Sequence, residues 1–519
     1  MDRRIAQGPV PSGPPHAPAP GEGDEPASPT ATVLVGLGIV AAVLLVYVFS
    51  NPQRPNLYNH FVWQAAAWLQ GQGTIPYPAP ANGGLPGNGY FQDVLPVVDA
   101  TGVPTGRAIL PFPPLPAVLL LPFVAVWGLA TDAQLVASVV GGLDVGIVFW
   151  MLGRLGGPLA IRVAVTLFFA LGTVFWYAAE KGTTWFLAHI VAVGLTCLAV
   201  GVALGADRAA ALGALRRGGE DDPPAGDGYD DEEMNEGEID EGDEVGWDEG
   251  QGYGWGHGWR HGWRTLLEPS GFLAGLLLGL ASTARLTVIL GLPFFLLVGA
   301  GGGWLRRGAS VAVGAAVPLA CLVAYNVVST GHLFNPAYDY LHRAEIASYP
   351  FLDYRPDWAI EDPRYLPRNL VLMLVGPPLL TPDSVDLGQV LCAAPGATRG
   401  WFDPDCPILM PNTVGMGLLF TSPAYLLALP ALRRYGRSRL VTGSALGVLL
   451  IALVNLMHFS QGWVQFGYRF SLDFAPFLLL LTAAGMQRMG GVRPLAVVLI
   501  GASVVVTVWG VWWGTHLGW

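Results

Sequence analysis

The chain has 519 residues, of which 52% are hydrophobic and only 13% charged; a soluble domain carries about a quarter charged residues, so a large soluble protein is excluded. The net charge of −11 does not describe the body of the chain, because sixteen of the 38 acidic residues lie between Glu220 and Glu249. The other 22 stand against 27 basic residues, a surplus of five positive charges, and no basic aromatic surface suited to nucleic acid accompanies it.

Residues 1–30 are rich in Pro, Gly and Ala and are expected to form a disordered tail. Arg3 and Arg4 precede the first apolar run, Ala31–Ser50, and favour a cytoplasmic N-terminus. No small-residue cleavage motif follows that run, so it reads as an uncleaved anchor. A polar segment follows, in which Phe61, Ala65, Trp68 and Leu69 fall at helical spacing and predict a short amphipathic helix in the membrane interface. Pro113–Leu129 is apolar but holds four prolines, and could span or dip in and return.

The basic sites decide the topology by the positive-inside rule. Arg154 with Arg162, Arg208 with Arg216 and Arg217, Arg306 with Arg307, Arg433 to Arg439, and Arg488 with Arg493 all fit the cytoplasm if Pro113–Leu129 does not cross fully. Spans are then predicted near 31–50, 133–152, 160–179, 185–206, 266–282, 285–301, 308–329, 412–431, 439–457, 471–487 and 494–514. The expected architecture is an all-α, polytopic transmembrane bundle of about eleven spans in the plasma membrane. Unpaired backbone groups are not tolerated in lipid, which is why a helical bundle is implied. It divides into a module over 31–206 with a large outward loop at 51–132, a cytoplasmic insertion at 207–265, and a module over 266–514 with an outward loop at 330–411. The insertion is acidic, then Gly-, Trp- and His-rich, and is expected to be disordered. Cys197 and Cys321 fall in apolar runs and read as inert core residues. Cys392 and Cys406 share one outward loop, where a disulfide suits an oxidising compartment.

Polar residues with chemical potential collect on the outward side. Asp93, Asp99 and Glu180 are carboxylates able to take a proton. Arg285, Arg469 and Lys181, the one lysine of the chain, are cations able to offset charge on a phosphate. Arg285 lies between two apolar runs, and an intramembrane Arg is costly enough to suggest a role. Arg469 and Asp473 stand four apart and could pair on one helix face. Tyr58, His60, Tyr90, His189 and Tyr468 would line the same side.

Several stretches together resemble the GT-C superfamily of polytopic glycosyltransferases, near the protein O-mannosyltransferase-like and lipid A-modifying branches. HFVWQAAAWLQG is similar to that family's interfacial helix, and PFPPLPAVLLLPFVAVWG to its Pro-Pro-Leu segment. GFLAGLLLGLASTARLTVILGLPF is similar to its paired short helices with a central Arg, and YNVVSTGHLFNPAYDY, MGLLFTSPAYLLALP and FGYRFSLDFAPFLL to its later spans. The resemblance covers most of 31–490 outside the acidic insertion. It implies inverting transfer of a sugar from a polyprenyl-phosphate-linked donor to a cell-envelope glycan, lipid or protein on the extracytoplasmic face. It also makes a divalent metal possible, although one carboxylate at Glu180 is too few to assert one. The family carries an acidic residue just after the first span, where this chain reads Asn56-Leu57-Tyr58-Asn59-His60. Either Asp93 or Asp99 takes the role from further along the loop, or the chain is a non-catalytic carrier or binding protein for lipid-linked glycans. A secondary transporter should show interrupted helices in matching halves, which the sequence lacks.

Overall fold

The computed structural model describes residues 28–54, 58–76, 93–218, 267–337, 339, 355, 357–385 and 389–518. The tail before Ser28, Tyr90 and residues 219–265 of the expected insertion lie outside the described residues, while 207–218 continue the helix that begins at Thr184.

Helix α1, Pro29–Ser50, starts where Ser28 caps the Ala31 amide and Pro29 presets the first turn. After it come α2 (His60–Leu69) and a three-stranded sheet of β1 (Ile75–Pro76), β2 (Leu95–Val98) and β3 (Pro104–Ile109), in the order β1-β3-β2 with antiparallel pairing. Then follow α3 (Leu115–Trp127), α4 (Ala133–Arg154), α5 (Leu159–Leu171), α6 (Val174–Lys181) and α7 (Thr184–Gly218). The second half holds α8 (Pro269–Ser282), a 3-10 turn at Leu286–Gly291, α9 (Leu292–Leu297) and α10 (Trp304–Thr330). It continues with α11 (Leu366–Val375), short hairpin strands, and the four-residue helices α12 (Leu418–Thr421) and α13 (Leu429–Leu432). It closes with α14 (Arg439–Met457), α15 (Ser471–Arg488) and α16 (Pro494–His516). The chain is therefore mostly helical and polytopic, with small sheets in its connecting segments that the all-α expectation did not include.

Among the described residues six helices are long and apolar enough to cross a membrane: α1, α4, α7, α10, α14 and α16. The pair α5 and α6 passes jointly but is bent by 51° at Gly172, which makes up to seven. Four of the eleven expected spans fall short. Helix α8 has 14 residues, about 21 Å at 1.5 Å per residue, against a hydrocarbon core of about 30 Å. The 285–301 run breaks into the 3-10 turn and the six-residue α9, and 412–431 breaks around Ser422-Pro423 and Pro430. Helix α15 carries Ser471, Asp473, Pro476 and Gln487, and is buried along nearly its whole length. It is a central helix whose neighbours are protein.

Close contacts between α8 and α10 rest on small residues. A Cβ on Gly275 would stand 2.1 Å from the Val311 carbonyl oxygen, and one on Gly314 would stand 2.1 Å from that of Phe272. Backbones that approach this closely gain packing where lipid gives no hydrophobic drive. The segment between α1 and α4 has its own core. Phe61, Val62, Ala65, Ala108, Leu110, Phe112 and Leu120 pack onto Leu187 and Val191 of α7. Helix α2 is thereby satisfied by protein: Gln64 donates to the Tyr325 hydroxyl at 2.7 Å, and Trp68 meets the Tyr325 ring edge-on at 5.8 Å. Its apolar face packs mainly against α3, with Tyr325 of α10 at one side.

The two ends of the bundle differ. At one end lie Arg154, Arg162, Arg208, Arg307 and Arg439, with Asp207 bound to Arg439 at 3.2 Å. At the other lie Tyr58, Asp93, Thr184, Arg285 and Asp473. The Cys392–Cys406 disulfide forms at this second end, where Leu391 and Met410 pack on Trp513 near the close of α16. Cys197 is buried, but Cys321 is exposed on α10 and is no core residue.

Candidate functional site

Helix α8 stops at Ser282, and the chain turns through Arg285 in extended conformation before the 3-10 turn begins. That break aims the Arg285 guanidinium at α15. Its Nε and Nη2 donate to the two carboxylate oxygens of Asp473 at 3.1 and 2.8 Å, a bidentate pair. The Thr287 hydroxyl donates to Oδ2 at 2.8 Å, Asn455 Nδ2 donates to it at 3.1 Å, and His189 Nδ1 lies 2.8 Å from Oδ1. Asp473 and His189 are buried, while the Arg285 side chain keeps 22% of its surface exposed. Four side chains from three elements thus converge on one carboxylate.

The i,i+4 pairing of Arg469 with Asp473 does not describe the structure. Helix α15 begins at Ser471, so Arg469 precedes the regular helix and takes another direction. Its guanidinium lies over the rings of Phe470, Phe186 and Trp185, at 5.4, 5.6 and 6.0 Å. Phe470 also faces the Arg285 guanidinium at 5.1 Å. Two cations therefore share one ring, an arrangement favoured by the negative face of the aromatic.

Trp185, in the first turn of α7, links this cationic pair to the α1–α4 segment. Its indole N–H donates to Asp93 Oδ2 at 3.0 Å. Its ring is 5.1 Å from Tyr58 and 6.0 Å from His60. Thr184 fixes these neighbours: its hydroxyl donates to the Tyr58 carbonyl, accepts from the His60 N–H at 3.1 Å, and sits 2.8 Å from His60 Nδ1. Tyr58 and Asp93 both hold φ above +50°, a left-handed conformation that costs a non-glycine residue on the order of 1 kcal/mol and clusters at functional sites. Asp93, Tyr58 and Trp185 are half-buried. Burial and the Asp93 carboxylate together push the Tyr58 phenol above its ordinary pKa.

The other two candidate carboxylates have different surroundings, while Tyr468 packs against Phe470 with ring centres 5.9 Å apart. Asp99 is exposed at the β2–β3 turn, where its Oδ1 accepts from the Thr101 amide at 2.8 Å, the Thr101 hydroxyl at 2.6 Å and the Val103 amide at 3.0 Å. Those bonds hold its carboxyl below the usual range and make it a poor proton acceptor. Glu180 is fully buried at the end of α6, with Lys181 Nζ 3.6 Å away. Gly182 then turns the chain with φ +53°, and a Cβ there would stand 2.7 Å from Ala137 Cβ and Gln134 Cα. Tyr468 is buried and donates to Gln461 Oε1 at 2.7 Å. Among the described residues no group of three or more His, Cys, Asp or Glu side chains is arranged to hold a metal ion.

Beside the site, His458 faces Phe470 at 6.3 Å and lies 3.2 Å from Glu361. Next to Glu361 opens a cavity of about 330 Å³ lined by Arg355, Asp357, Trp358, Arg364, Tyr365 and Arg368. Sequence reasoning missed Trp185, Thr287 and Asn455. A tryptophan at a span end reads as a membrane-belt residue, and nothing local marks it as the joint between two halves of a site.

No protein-family model matches the chain, and no curated protein matches it. Among solved structures it is similar to the Archaeoglobus fulgidus oligosaccharyltransferase tethered with an acceptor peptide containing the NVT sequon via a disulfide bond. The identity is 11% and the TM-score 0.40, over 93% of this chain and 54% of that one. The chain spans about half the length of that enzyme.

Proposed function

We propose that the chain is a membrane glycosyltransferase of inverting mechanism. It takes a sugar from a polyprenyl-phosphate-linked donor and passes it to a cell-envelope acceptor. One observation carries the reading: Asp93, Trp185, Arg469, Phe470 and Arg285 form a continuous run, with a reachable carboxylate at one end and two guanidiniums at the other. Asp93 would accept the proton of the acceptor nucleophile as that atom bonds to the anomeric carbon. The bond from that carbon to the phosphate oxygen would break with its electron pair leaving on the phosphate. Arg469 and Arg285 would offset the charge that develops there. Trp185, Tyr58 and His60 would supply the surface against which the sugar stacks.

Glu180 is the weaker candidate base, since it is fully buried against Lys181. His189 and Asp473 serve as the clamp that aims Arg285. Two features support an extracytoplasmic site. The disulfide lies at the site end, as an oxidising compartment requires, and the arginine surplus lies at the opposite end, as the cytoplasmic side requires.

The test is transfer from radiolabelled polyprenyl-phosphate sugars in membranes carrying the wild type, Asp93→Asn or Arg469→Gln. Wild type should transfer sugar. Asp93→Asn should keep donor binding and lose about 10²- to 10⁴-fold in turnover, and Arg469→Gln should lose turnover and donor affinity together. A wild type that binds donor without ever transferring it, with Asp93→Asn indistinguishable, would instead make the chain a carrier or binding protein for lipid-linked glycans.

A further inference from the structure

The Arg-rich end of the bundle holds a groove that sugar transfer does not use. It has a volume of about 460 Å³ and lies between Thr32 near the start of α1, the α4–α5 turn, and Ala483 and Gln487 on α15. Leu152, Leu155 and Ile161 give it apolar walls, and Arg162 gives it charge.

The turn is built to gather cations. Arg162 stacks on Phe149 with its guanidinium 3.6 Å from the ring centre. Gly153 makes room for it, since a Cβ there would stand 2.6 Å from the guanidinium carbon. Arg208 reaches in from α7, its Nη1 3.6 Å from where a Cβ on Gly156 would be. Arg154 lies over Trp150 at 4.8 Å, its Nη1 3.5 Å from the Cβ position of Gly205. Among the described residues, none of these three arginines has a carboxylate within ion-pair distance; the ion pair at this end joins Arg439 to Asp207. Three cations around one turn, uncompensated among the described residues, favour an anion.

The groove also opens toward lipid. Thr32 sits at its rim on α1, and the neighbouring Val33, Leu34 and Leu37 are each about three-fifths exposed on a span that is mostly unburied. Basic pockets between transmembrane helices at this side of a membrane suit phosphate headgroups. We propose that the groove binds the phosphate of an anionic phospholipid from the leaflet at the Arg-rich end, with the acyl chain along the apolar flank of α1. The proposal rests on the chain spanning a membrane and is independent of the sugar-transfer reading.

The experiment uses the full chain, purified in detergent and stripped of lipid, with native mass spectrometry during titration of phosphatidylglycerol, phosphatidylcholine or inorganic phosphate. Phosphatidylglycerol should be retained at least about tenfold more tightly than phosphatidylcholine, which is about 1.4 kcal/mol. The Arg162→Gln/Arg208→Gln double variant should lower that retention to the phosphatidylcholine level. Thr32→Trp keeps all three charges and fills the rim, and should lower it as well; if the double variant does not fold, Thr32→Trp decides alone. Equal retention of the two lipids by wild type, or undiminished phosphatidylglycerol retention in Thr32→Trp, would overturn the proposal. Displacement of phosphatidylglycerol by an equal concentration of inorganic phosphate would overturn the lipid as its source and leave a soluble anion in its place.

Discussion

Replacing Asp473 with Asn tests the clamp at the centre of the bundle. The substitution keeps shape and volume but removes the charge that Arg285 meets bidentately at 3.1 and 2.8 Å. It also turns one of two acceptor oxygens into a donor, facing Arg285, Thr287 or Asn455, which are donors already. Removing one partner of a buried ion pair costs about 3–5 kcal/mol, because the remaining charge is left uncompensated. That is roughly two to three and a half decades in the folded-to-unfolded ratio. The assay is equilibrium unfolding of the purified chain by denaturing detergent, followed by tryptophan fluorescence. Arg285→Met and the double variant Arg285→Met/Asp473→Leu complete a cycle. The double variant should recover most of the loss, since an apolar pair of similar size can replace a buried ion pair at little cost. A loss below about 1 kcal/mol for Asp473→Asn, or a double variant as damaged as the sum of the singles, would refute the claim that this carboxylate holds Arg285 in place.

Two further outcomes are expected. The Asp99 carboxyl is held below its ordinary pKa by the Thr101 and Val103 bonds. Its contribution to the β2–β3 turn is therefore complete above the ordinary aspartate value and is lost as pH falls through the lowered one; protection of the Thr101 and Val103 amides, taken relative to their intrinsic exchange rate at each pH, should fall below about pH 4, and Asp99→Asn should abolish that pH dependence. Cys392→Ser should expose Cys406 to maleimide, which in wild type reacts there only after reduction, and should destabilise the loop by up to about 3 kcal/mol for a closure of this length.

Much of the architecture was legible because it depends on runs. Ala31–Ser50, the apolar stretch of α7 and the stretch of α16 each exceed what a soluble helix needs, and each is one of the long apolar helices. The failures came where length and polarity compete with packing. Residues 266–301 read as two spans by apolarity, yet Arg285 needs a break in the helix to reach Asp473, 188 residues away in sequence. A partner that distant leaves no local trace, whereas Arg469 offered a nearer match by helical spacing. The fold placed Asp473 in the first turn of α15, facing α7, α14 and the break that follows α8, and gave Arg469 to the aromatic rings. Asp93 and Arg469 were both readable as chemically useful; that Trp185 lies between them was not.

The turn between α6 and α7 makes the molecule an unusual substrate for amine chemistry. Lys181 is the chain's one lysine among 26 arginines, and its side chain keeps 5% of its surface exposed beside a fully buried Glu180. Reagents that seek ε-amines therefore meet a folded molecule with its single target hidden. A lysine-specific protease has one internal bond to cut, and it can reach that bond only when Gly182 and its packing against α4 come apart. Cleavage there counts openings of the bundle at the end where Asp93, Trp185 and Arg469 meet.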